Sequence, residues 1–232
     1  MIHQWQEAFG KTIHDGYGQT ETIILAANLP GMAIRPGSMG KPFVGHDVRI
    51  IGDDGRELPA GEVGDIGVHG HPPSLFREYW KDPEETRASF RGEWYITGDR
   101  AHRDEDGYLW FVGRADDVII SAGYRIGPFE VESALLEHPA VVESAVVAKP
   151  HPERGAIVKA FVRLGDGVRG SDALVHELQE HVKRVTAPYK YPREIEFVTE
   201  LPKTVSGKIR RVELRQHEAA RARETSPVQR AP

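Results

Sequence analysis

The sequence of 232 residues contains no cysteine. This absence excludes a disulfide framework, a thiolate nucleophile and a zinc site with cysteine ligands. Histidine occurs eleven times, but no His-Glu-x-x-His pair of the kind that binds zinc from one helix face is present. We therefore expect no metal site built from histidines.

Long hydrophobic runs and an excess of positive charge are missing as well. No apolar stretch approaches the roughly 18 residues that a membrane-spanning helix needs, and Trp5, Gln6 and Glu7 interrupt the region where a signal peptide would lie. Hydrophobic residues make up 39% and charged residues 28% of the chain, and the formal net charge is -5. This balance is typical of soluble globular proteins and argues against general nucleic-acid binding. A cytoplasmic protein without a membrane span is the default expectation.

The first half of the sequence predicts short β-strands between turns rich in glycine and proline. Strands are expected at residues 48–51, 65–69, 94–96 and 108–112, and the third of them ends in Thr-Gly-Asp at 97–99. Several short strands at this spacing favour a small barrel or a distorted sheet.

After Gly113 the pattern changes and predicts a compact α+β domain. Pro128 marks the first turn of a helix, and Ser171 is the expected N-cap of a second helix. The apolar face of that second helix carries Leu174, Val175, Leu178, Val182 and Val185. Strands are expected at residues 141–148, 157–164 and around 195–197, followed by a charged helix at about 211–223.

We therefore divide the chain into three parts. Residues 1–113 form a β-rich part, residues 114–218 form the small α+β domain, and residues 219–232 form a polar tail that we expect to be disordered. The boundary between the first two parts falls near the sequence Gly-Arg-Ala-Asp-Asp at 113–117.

Residues 17–22, Tyr-Gly-Gln-Thr-Glu-Thr, are suited to hold a phosphate. Glycine lets the backbone approach a ligand closely. The Thr20 hydroxyl and backbone amides can hold phosphate oxygens, and Glu21 can bind Mg²⁺. The same pattern also suits a tight turn capped by Thr20, with Glu21 in the first turn of a helix. Judged by the spacing of these residues alone, a capped turn is more frequent than a phosphate-binding site.

Two further segments combine a charged side chain with glycine. Asp99 ends Tyr-Ile-Thr-Gly-Asp at 95–99 and could accept hydrogen bonds from ribose hydroxyls, or it is a turn aspartate that bonds its own backbone. Arg114 could bridge ribose or phosphate oxygens, or form surface ion pairs in a linker between domains. Gly123, in the loop 121–126, could let a thin substituent pass close to the backbone.

Residues 202–208, Pro-Lys-Thr-Val-Ser-Gly-Lys, place Lys208 on a Ser-Gly turn. Because loop tips move, its ammonium group could reach an anion, although most lysines are solvated surface residues. The segment is not a Walker loop, since the leading glycine and the hydroxyl after Lys208 are missing.

Taken in order and with their spacings, these segments resemble the adenylate-forming superfamily. This superfamily comprises acyl-CoA synthetases, the adenylation domains of nonribosomal peptide synthetases and beetle luciferase. The resemblance runs from Asp15 to Lys208, and residues 113–132 and 186–193 look most like the medium-chain acyl-CoA synthetase branch. It implies that residues 1–113 are the C-terminal remainder of a large AMP-binding domain and that residues 114–218 are a small mobile C-terminal domain.

The resemblance implies an AMP-forming acyl-CoA synthetase that uses a carboxylic acid, ATP, CoA and Mg²⁺. Lys208, Thr20 and Glu21 match catalytic residues: the lysine reaches the acid and the α-phosphate, the threonine bonds the α-phosphate, and the glutamate is the Mg²⁺ ligand. Tyr17 is expected along the adenine, and Asp99 is expected at the ribose hydroxyls.

The other residues that match the family lie at the boundary between the two domains or are expected to contact CoA. Arg114 is expected to support the ribose, and Asp116 matches the hinge about which the small domain rotates. The residues expected to contact CoA are Gly123, which matches the lining of the pantetheine tunnel, and Arg125, Arg154, Lys183 and Tyr191.

One departure from the family concerns its Ser/Thr/Gly-rich phosphate loop. In family members this loop, with its own lysine, lies well before the segment that starts here at Tyr17, and no such loop precedes Tyr17. We therefore expect a C-terminal part that makes no acyl-CoA by itself, with a separate N-terminal half as a candidate partner. The alternatives are a non-catalytic remnant that binds a nucleotide or CoA, and an aryl-CoA or aminoacyl-adenylating enzyme of the same superfamily.

Overall fold

The computed structural model describes residues 2–225. The chain divides into two compact units, with the boundary between Ala115 and Asp116. No helix among the described residues is long and apolar enough to cross a membrane.

The first unit is mostly β-structure. Its elements are α1 (Ile2–Phe9), β1 (Gly16–Gln19), β2 (Ile23–Ala27), β3 (Lys41–Pro42), β4 (Val48–Ile51), β5 (Val63–His69), α2 (Pro83–Ala88), β6 (Phe90–Arg91), β7 (Trp94–Arg103) and β8 (Leu109–Arg114). The strands form a three-stranded antiparallel sheet β1-β2-β3 and a five-stranded sheet. Gly40 and Leu109 form a single bridge between the two sheets.

The five-stranded sheet is open. Its order is β4-β5-β7-β6, and β8 pairs with the second half of β7. Within the described residues, no pairing closes this sheet into a barrel, so the barrel-like interpretation of the sequence is corrected to an open sheet. Leu25, Ile50, Ile66, Val68 and Leu109 are among the buried side chains of its core.

β7 is longer than the sequence predicts. The expected strand of three residues is a strand of ten, and Thr97, Gly98 and Asp99 lie inside it. Tyr95, Thr97, Asp99 and Ala101 are buried in strict alternation. Two of these four buried residues, Thr97 and Asp99, are polar. The alternation of apolar and polar residues by which a strand is predicted therefore stops after residue 96, whereas the strand itself continues to Arg103.

The second unit is a sheet with helices on both faces. Its elements are β9 (Ile119–Ser121), β10 (Tyr124–Ile126), α3 (Pro128–Leu136), β11 (Val141–His151), β12 (Gly155–Leu164), α4 (Asp172–Val185), β13 (Glu194–Phe197) and α5 (Arg211–Thr225). The strand order is β10-β9-β12-β11, and β13 pairs with β12 in parallel. This confirms the predicted α+β class.

Two cores flank this sheet. Val146 of β11 belongs to the core that includes Leu135 of α3 and Leu178 of α4. Its neighbours Ala145 and Val147 belong to the second core, together with Leu214 of α5 and four other apolar residues. Successive residues of a strand point to opposite faces, so β11 is covered on both sides.

The local signals of this unit act as expected. Pro128 begins α3 after Gly127, and the Ser171 hydroxyl accepts a hydrogen bond from the Leu174 amide at the start of α4. On the predicted apolar face of α4, Leu178 and Val182 are buried, whereas Val185 is 43% exposed. α5 continues to Thr225, so residues 219–225 of the expected tail are helical, and residues 226–232 lie outside the described residues.

Candidate functional site

The carboxylate of Asp99 is the centre of a polar cluster in the first unit. Asp99 lies on β7 and is 5% exposed. The Tyr17 hydroxyl, on β1, donates a hydrogen bond of 2.6 Å to Asp99 Oδ2. Arg114 Nη1, on β8, lies 3.4 Å from Asp99 Oδ1. Tyr17 and Arg114, which the sequence singles out separately, thus both contact the Asp99 carboxylate.

Gly98 allows Arg114 to reach this carboxylate. Asp99 is paired with Arg114 in the β7–β8 ladder, and Gly98 has a φ of 73°. A Cβ atom at Gly98 would lie 3.1 Å from Arg114 Nη2. Glycine therefore provides both the left-handed backbone conformation and the space for the guanidinium group. Asp99 bonds side chains of other strands, unlike the turn aspartate that was the alternative.

Gln19 belongs to the same cluster, and sequence reasoning missed it. Its amide Nε2 donates to Asp99 Oδ2 at 2.9 Å and to the Thr97 carbonyl oxygen at 3.0 Å. Its Oε1 accepts a hydrogen bond of 3.2 Å from the Tyr95 hydroxyl. The available signal was the spacing: Gln19 lies two residues after Tyr17 on one strand, so both side chains lie on the same face.

Burial keeps the phenols of this cluster protonated. Burial, and then the negative charge of Asp99, raise the pKa of Tyr17 far above its ordinary range. Burial also raises the pKa of Tyr95, with further contributions from Tyr79 and Glu21. Tyr17 therefore remains a hydrogen-bond donor to Asp99 at neutral and moderately alkaline pH.

Thr20 and Glu21 lie in the turn between β1 and β2. A Cβ atom at Gly18 would lie 1.9 Å from the Ile23 carbonyl oxygen, so this turn requires glycine. Thr20 is exposed, and Glu21 Oε1 accepts a hydrogen bond of 3.1 Å from the Tyr79 hydroxyl. A strand follows the turn, so the alternative in which Glu21 starts a helix is wrong.

The remaining candidates lie in the second unit. Gly123, with a φ of 86°, forms the turn between β9 and β10. The neighbouring Ala122 amide donates to the Arg154 carbonyl oxygen at 3.1 Å, which brings Gly123 and Arg154 close together. Arg125 is exposed on β10.

Lys183 and Tyr191 form a second group. The Lys183 ammonium lies 4.2 Å from the centre of the Tyr191 ring and bonds Glu180 at 2.7 Å. Arg193 donates to the Tyr191 hydroxyl at 3.0 Å. Two cations, Lys183 and Arg193, therefore contact the Tyr191 ring, at 4.2 and 5.0 Å from its centre.

Lys208 lies in an exposed turn. The Thr204 hydroxyl accepts a hydrogen bond of 3.1 Å from the Lys208 amide, and the Thr204 amide donates to the Lys208 carbonyl oxygen at 2.8 Å. The turn thus holds the Lys208 backbone while its side chain remains in solvent. Asp116, at the start of the unit, accepts a hydrogen bond of 3.1 Å from Arg215.

The side chains of these groups differ in how well they suit Mg²⁺ and a nucleotide. Among residues 2–225, no group of three histidine or carboxylate side chains could hold a metal ion by itself. Glu21 fits Mg²⁺ only in the usual nucleotide arrangement, in which one carboxylate and the phosphates share the ion. Asp99, with an arginine beside it, fits a ligand that offers hydroxyl donors.

Two family models match parts of the chain. A family model described as AMP-binding enzyme matches residues 1–80. A second, described as AMP-binding enzyme C-terminal domain, matches residues 130–208. The chain belongs to the AMP-binding enzyme family. The resemblance to the adenylate-forming superfamily is thereby confirmed.

The chain has relatives named as an acyl-CoA ligase and as acyl-coenzyme A synthetases. It is 58% identical over 218 residues to the uncharacterized acyl-CoA ligase YtcI of Bacillus subtilis (strain 168), which covers 94% of this chain and 41% of YtcI. It is 56% identical over 223 residues to the mitochondrial acyl-coenzyme A synthetase ACSM3 of Homo sapiens, which covers 94% of this chain and 38% of ACSM3. The chain thus spans about two fifths of the length of these curated relatives.

A solved structure of an AMP-binding enzyme has the same fold. The crystal structure of the anthranilate CoA ligase AuaEII in complex with anthranoyl-AMP matches with a TM-score of 0.87 and 43% sequence identity. The match covers 95% of this chain and 43% of that chain.

Proposed function

We propose that this chain acts in AMP-forming acyl-CoA synthesis, in which a carboxylic acid, ATP and CoA give acyl-CoA, AMP and pyrophosphate. The observation that carries the proposal is the Asp99 carboxylate with Tyr17 and Arg114 around it. A buried carboxylate next to an aromatic ring and a cation offers separate contacts for the hydroxyls, the base and the charge of a nucleotide.

In this proposal the first unit holds the nucleotide. Tyr17 lies along the adenine, Asp99 bonds the ribose hydroxyls and Arg114 supports the ribose. Thr20 bonds the α-phosphate, and Glu21 shares Mg²⁺ with the phosphates, which neutralises their charge. The support for the last two assignments is their position in one turn, two to three residues from Gly18 and directly after Gln19.

The second unit supplies the mobile cation and the CoA contacts. Lys208 offsets the charge that builds up between the acid and the α-phosphate during adenylation, and Asp116 is the hinge. Gly123 lines the path of the pantetheine arm. Arg125, Arg154, Lys183 and Tyr191 contact the CoA nucleotide, since cations and an aromatic ring suit its phosphates and base.

The acid is proposed to be a medium-chain fatty acid. This choice is supported by residues 113–132 and 186–193, which look most like the medium-chain acyl-CoA synthetase branch. The structural match to an anthranilate CoA ligase favours an aromatic acid as the second candidate. The third candidate is a non-catalytic protein that binds a nucleotide or CoA.

Two measurements test the proposal on the purified chain. Calorimetric titration with AMP should show binding that Asp99→Asn weakens. ATP–pyrophosphate exchange is then measured with acids from acetate to decanoate and with benzoate, using Lys208→Ala as the control.

The outcomes separate the candidates. Exchange above the control identifies the acid class by the best substrate. Binding of AMP without exchange favours the non-catalytic reading for the chain by itself. Absence of AMP binding would overturn the proposed nucleotide site.

A further inference from the structure

The two oxygens of the Asp99 carboxylate have different surroundings. Oδ2 accepts a hydrogen bond from the Tyr17 hydroxyl at 2.6 Å and another from the Gln19 amide at 2.9 Å. Oδ1 accepts one longer contact, of 3.4 Å, from Arg114. A carboxylate oxygen has about two acceptor sites, so Oδ2 is saturated by the protein and Oδ1 retains acceptor capacity.

Gln19 is itself held in one orientation. Its Nε2 donates to both Asp99 and the Thr97 carbonyl oxygen, and its Oε1 accepts from the Tyr95 hydroxyl. Tyr95 is 2% exposed, so its hydroxyl is fixed by packing. A reversed amide would place the Gln19 oxygen against a carboxylate and a carbonyl oxygen, where it would find no donor.

We propose that Gln19, held in place by the hydrogen bond from Tyr95, is a positioning residue. Together with the Tyr17 hydroxyl it saturates Oδ2 of Asp99, so that Oδ1 is left to accept hydrogen bonds from the hydroxyl groups of a ribose. The inference rests on the proposed nucleotide site. It gives Tyr17 a second task besides the contact of its ring with the base. It also predicts that discrimination between ribose and deoxyribose depends on Gln19, which need not touch the ligand.

Gln19→Met tests this inference, since it keeps the length of the side chain and removes its hydrogen bonds. Affinities for AMP and for 2′,3′-dideoxy-AMP are measured by calorimetry on the full chain. The wild-type chain should prefer AMP. The variant should lose about tenfold in affinity for AMP, the scale of a hydrogen bond to a charged group, and keep its affinity for the dideoxy analogue.

Two further variants test the same mechanism. Tyr17→Phe keeps the ring and should reduce the same preference. Tyr95→Phe removes only the hydroxyl that seats Gln19 and should produce a smaller reduction, which keeps the inference testable if Gln19→Met does not fold. In an Asp99→Asn background, Gln19→Met should have no further effect, because Gln19 acts through Asp99.

Matched controls remove similar groups elsewhere. Tyr108→Phe removes a hydroxyl that donates to the Ala33 carbonyl oxygen, and Gln179→Met removes an amide that donates to the Pro192 carbonyl oxygen. Both should leave the preference for AMP unchanged.

The results distinguish the inference from the proposed function. A wild-type chain that binds neither ligand, or both equally, overturns the ribose site and the inference with it. Wild-type preference that survives in Gln19→Met and Tyr95→Phe overturns the inference alone. Equal losses for both ligands in these variants would show a merely structural role and would overturn it too.

Discussion

Arg211 donates two hydrogen bonds to the carboxylate of Glu132, from Nε at 2.8 Å and from Nη2 at 2.5 Å. Glu132, on α3, is 5% exposed and also accepts a hydrogen bond of 2.8 Å from the Val146 amide. Arg211 begins α5, three residues after Lys208. The bidentate pair therefore fixes one end of the turn that carries Lys208, while Lys203 and Glu143 form an ion pair at the other end.

Glu132→Gln should destabilise the second unit. The substitution keeps an acceptor for the Val146 amide but leaves the Arg211 guanidinium without its counter-charge. Breaking a buried pair in this way should lower the free energy of unfolding by about 3 kcal/mol. Urea unfolding followed by helical circular dichroism measures the change.

The control for this variant is Glu130→Gln. Glu130 lies on the same helix and pairs with Lys190, but its side chain is 42% exposed. The substitution should therefore change stability little, because exposed ion pairs contribute little. Equal effects of the two substitutions would contradict the assignment of a stabilising role to the Glu132–Arg211 pair.

Lys208→Ala should separate the two half-reactions. The ammonium is proposed to act only during adenylation, so acyl-adenylate formation should slow by roughly 100- to 1000-fold. Thioester formation from supplied acyl-adenylate should be largely spared. The rates are measured on a chimera that adds the residues by which its relatives are longer. A similar loss in both steps would show that the proposed role of Lys208 is wrong.

Tyr17 and Tyr95 should resist ionisation in alkaline solution. Their pKa values in the folded state are raised by burial above the ordinary value near 10. Above about pH 10 the unfolded state loses these protons while the folded state keeps them, so the free energy of unfolding should fall as the pH rises. Tyrosinate absorbance and urea unfolding at increasing pH measure the two effects.

Single substitutions identify the tyrosines responsible. Tyr17→Phe and Tyr95→Phe should each flatten the alkaline decline in stability. Tyr124→Phe, at a position that is 53% exposed, is the matched control substitution. If all seven tyrosines of the folded chain titrated together near their ordinary pKa, the buried positions of Tyr17 and Tyr95 would be contradicted.

Lys159 should determine how the second unit responds to acid. This side chain is 1% exposed, and its ammonium bonds Glu196 and Glu218 at 2.7 Å each. Burial is the largest single influence and raises the pKa of Glu196, but the hydrogen bonds and positive charges of Lys159 and Arg221 together outweigh it and lower the pKa. This contribution is complete above the ordinary glutamate pKa of about 4.3 and is lost as the pH falls below it.

Lys159→Met should lower the free energy of unfolding by about 3 kcal/mol at neutral pH, because Glu218 remains buried and loses its 2.7 Å partner. Glu218 then keeps longer contacts, of 3.5 Å to Arg221 and 3.8 Å to Lys149. The variant should also lose less stability than the wild type between neutral pH and pH values below about 4. Circular dichroism during urea unfolding at a series of pH values provides both numbers. Parallel stability curves for the two proteins would show that the Lys159 network is not the acid-sensitive element.

Much of the second unit could be predicted because its signals are local. Ser171 caps α4 through an amide three residues away, and Pro128 starts α3 through its own ring geometry. β7 was predicted too short because its buried face contains Thr97 and Asp99, whose polarity resembles that of a turn. The barrel-like interpretation failed because strand spacing indicates that several strands are present but not which of their edges pair.

The sequence alone determined the family and the α+β class, since motif order and helix and strand periodicity are properties of the chain. Tertiary structure alone decided what surrounds the Asp99 carboxylate. Tyr17 and Asp99 lie 82 residues apart, and Tyr95 and Gln19 lie 76 residues apart. Hydrogen bonds between such distant residues depend on which strands pack together, and no local pattern in the sequence encodes their distance or direction.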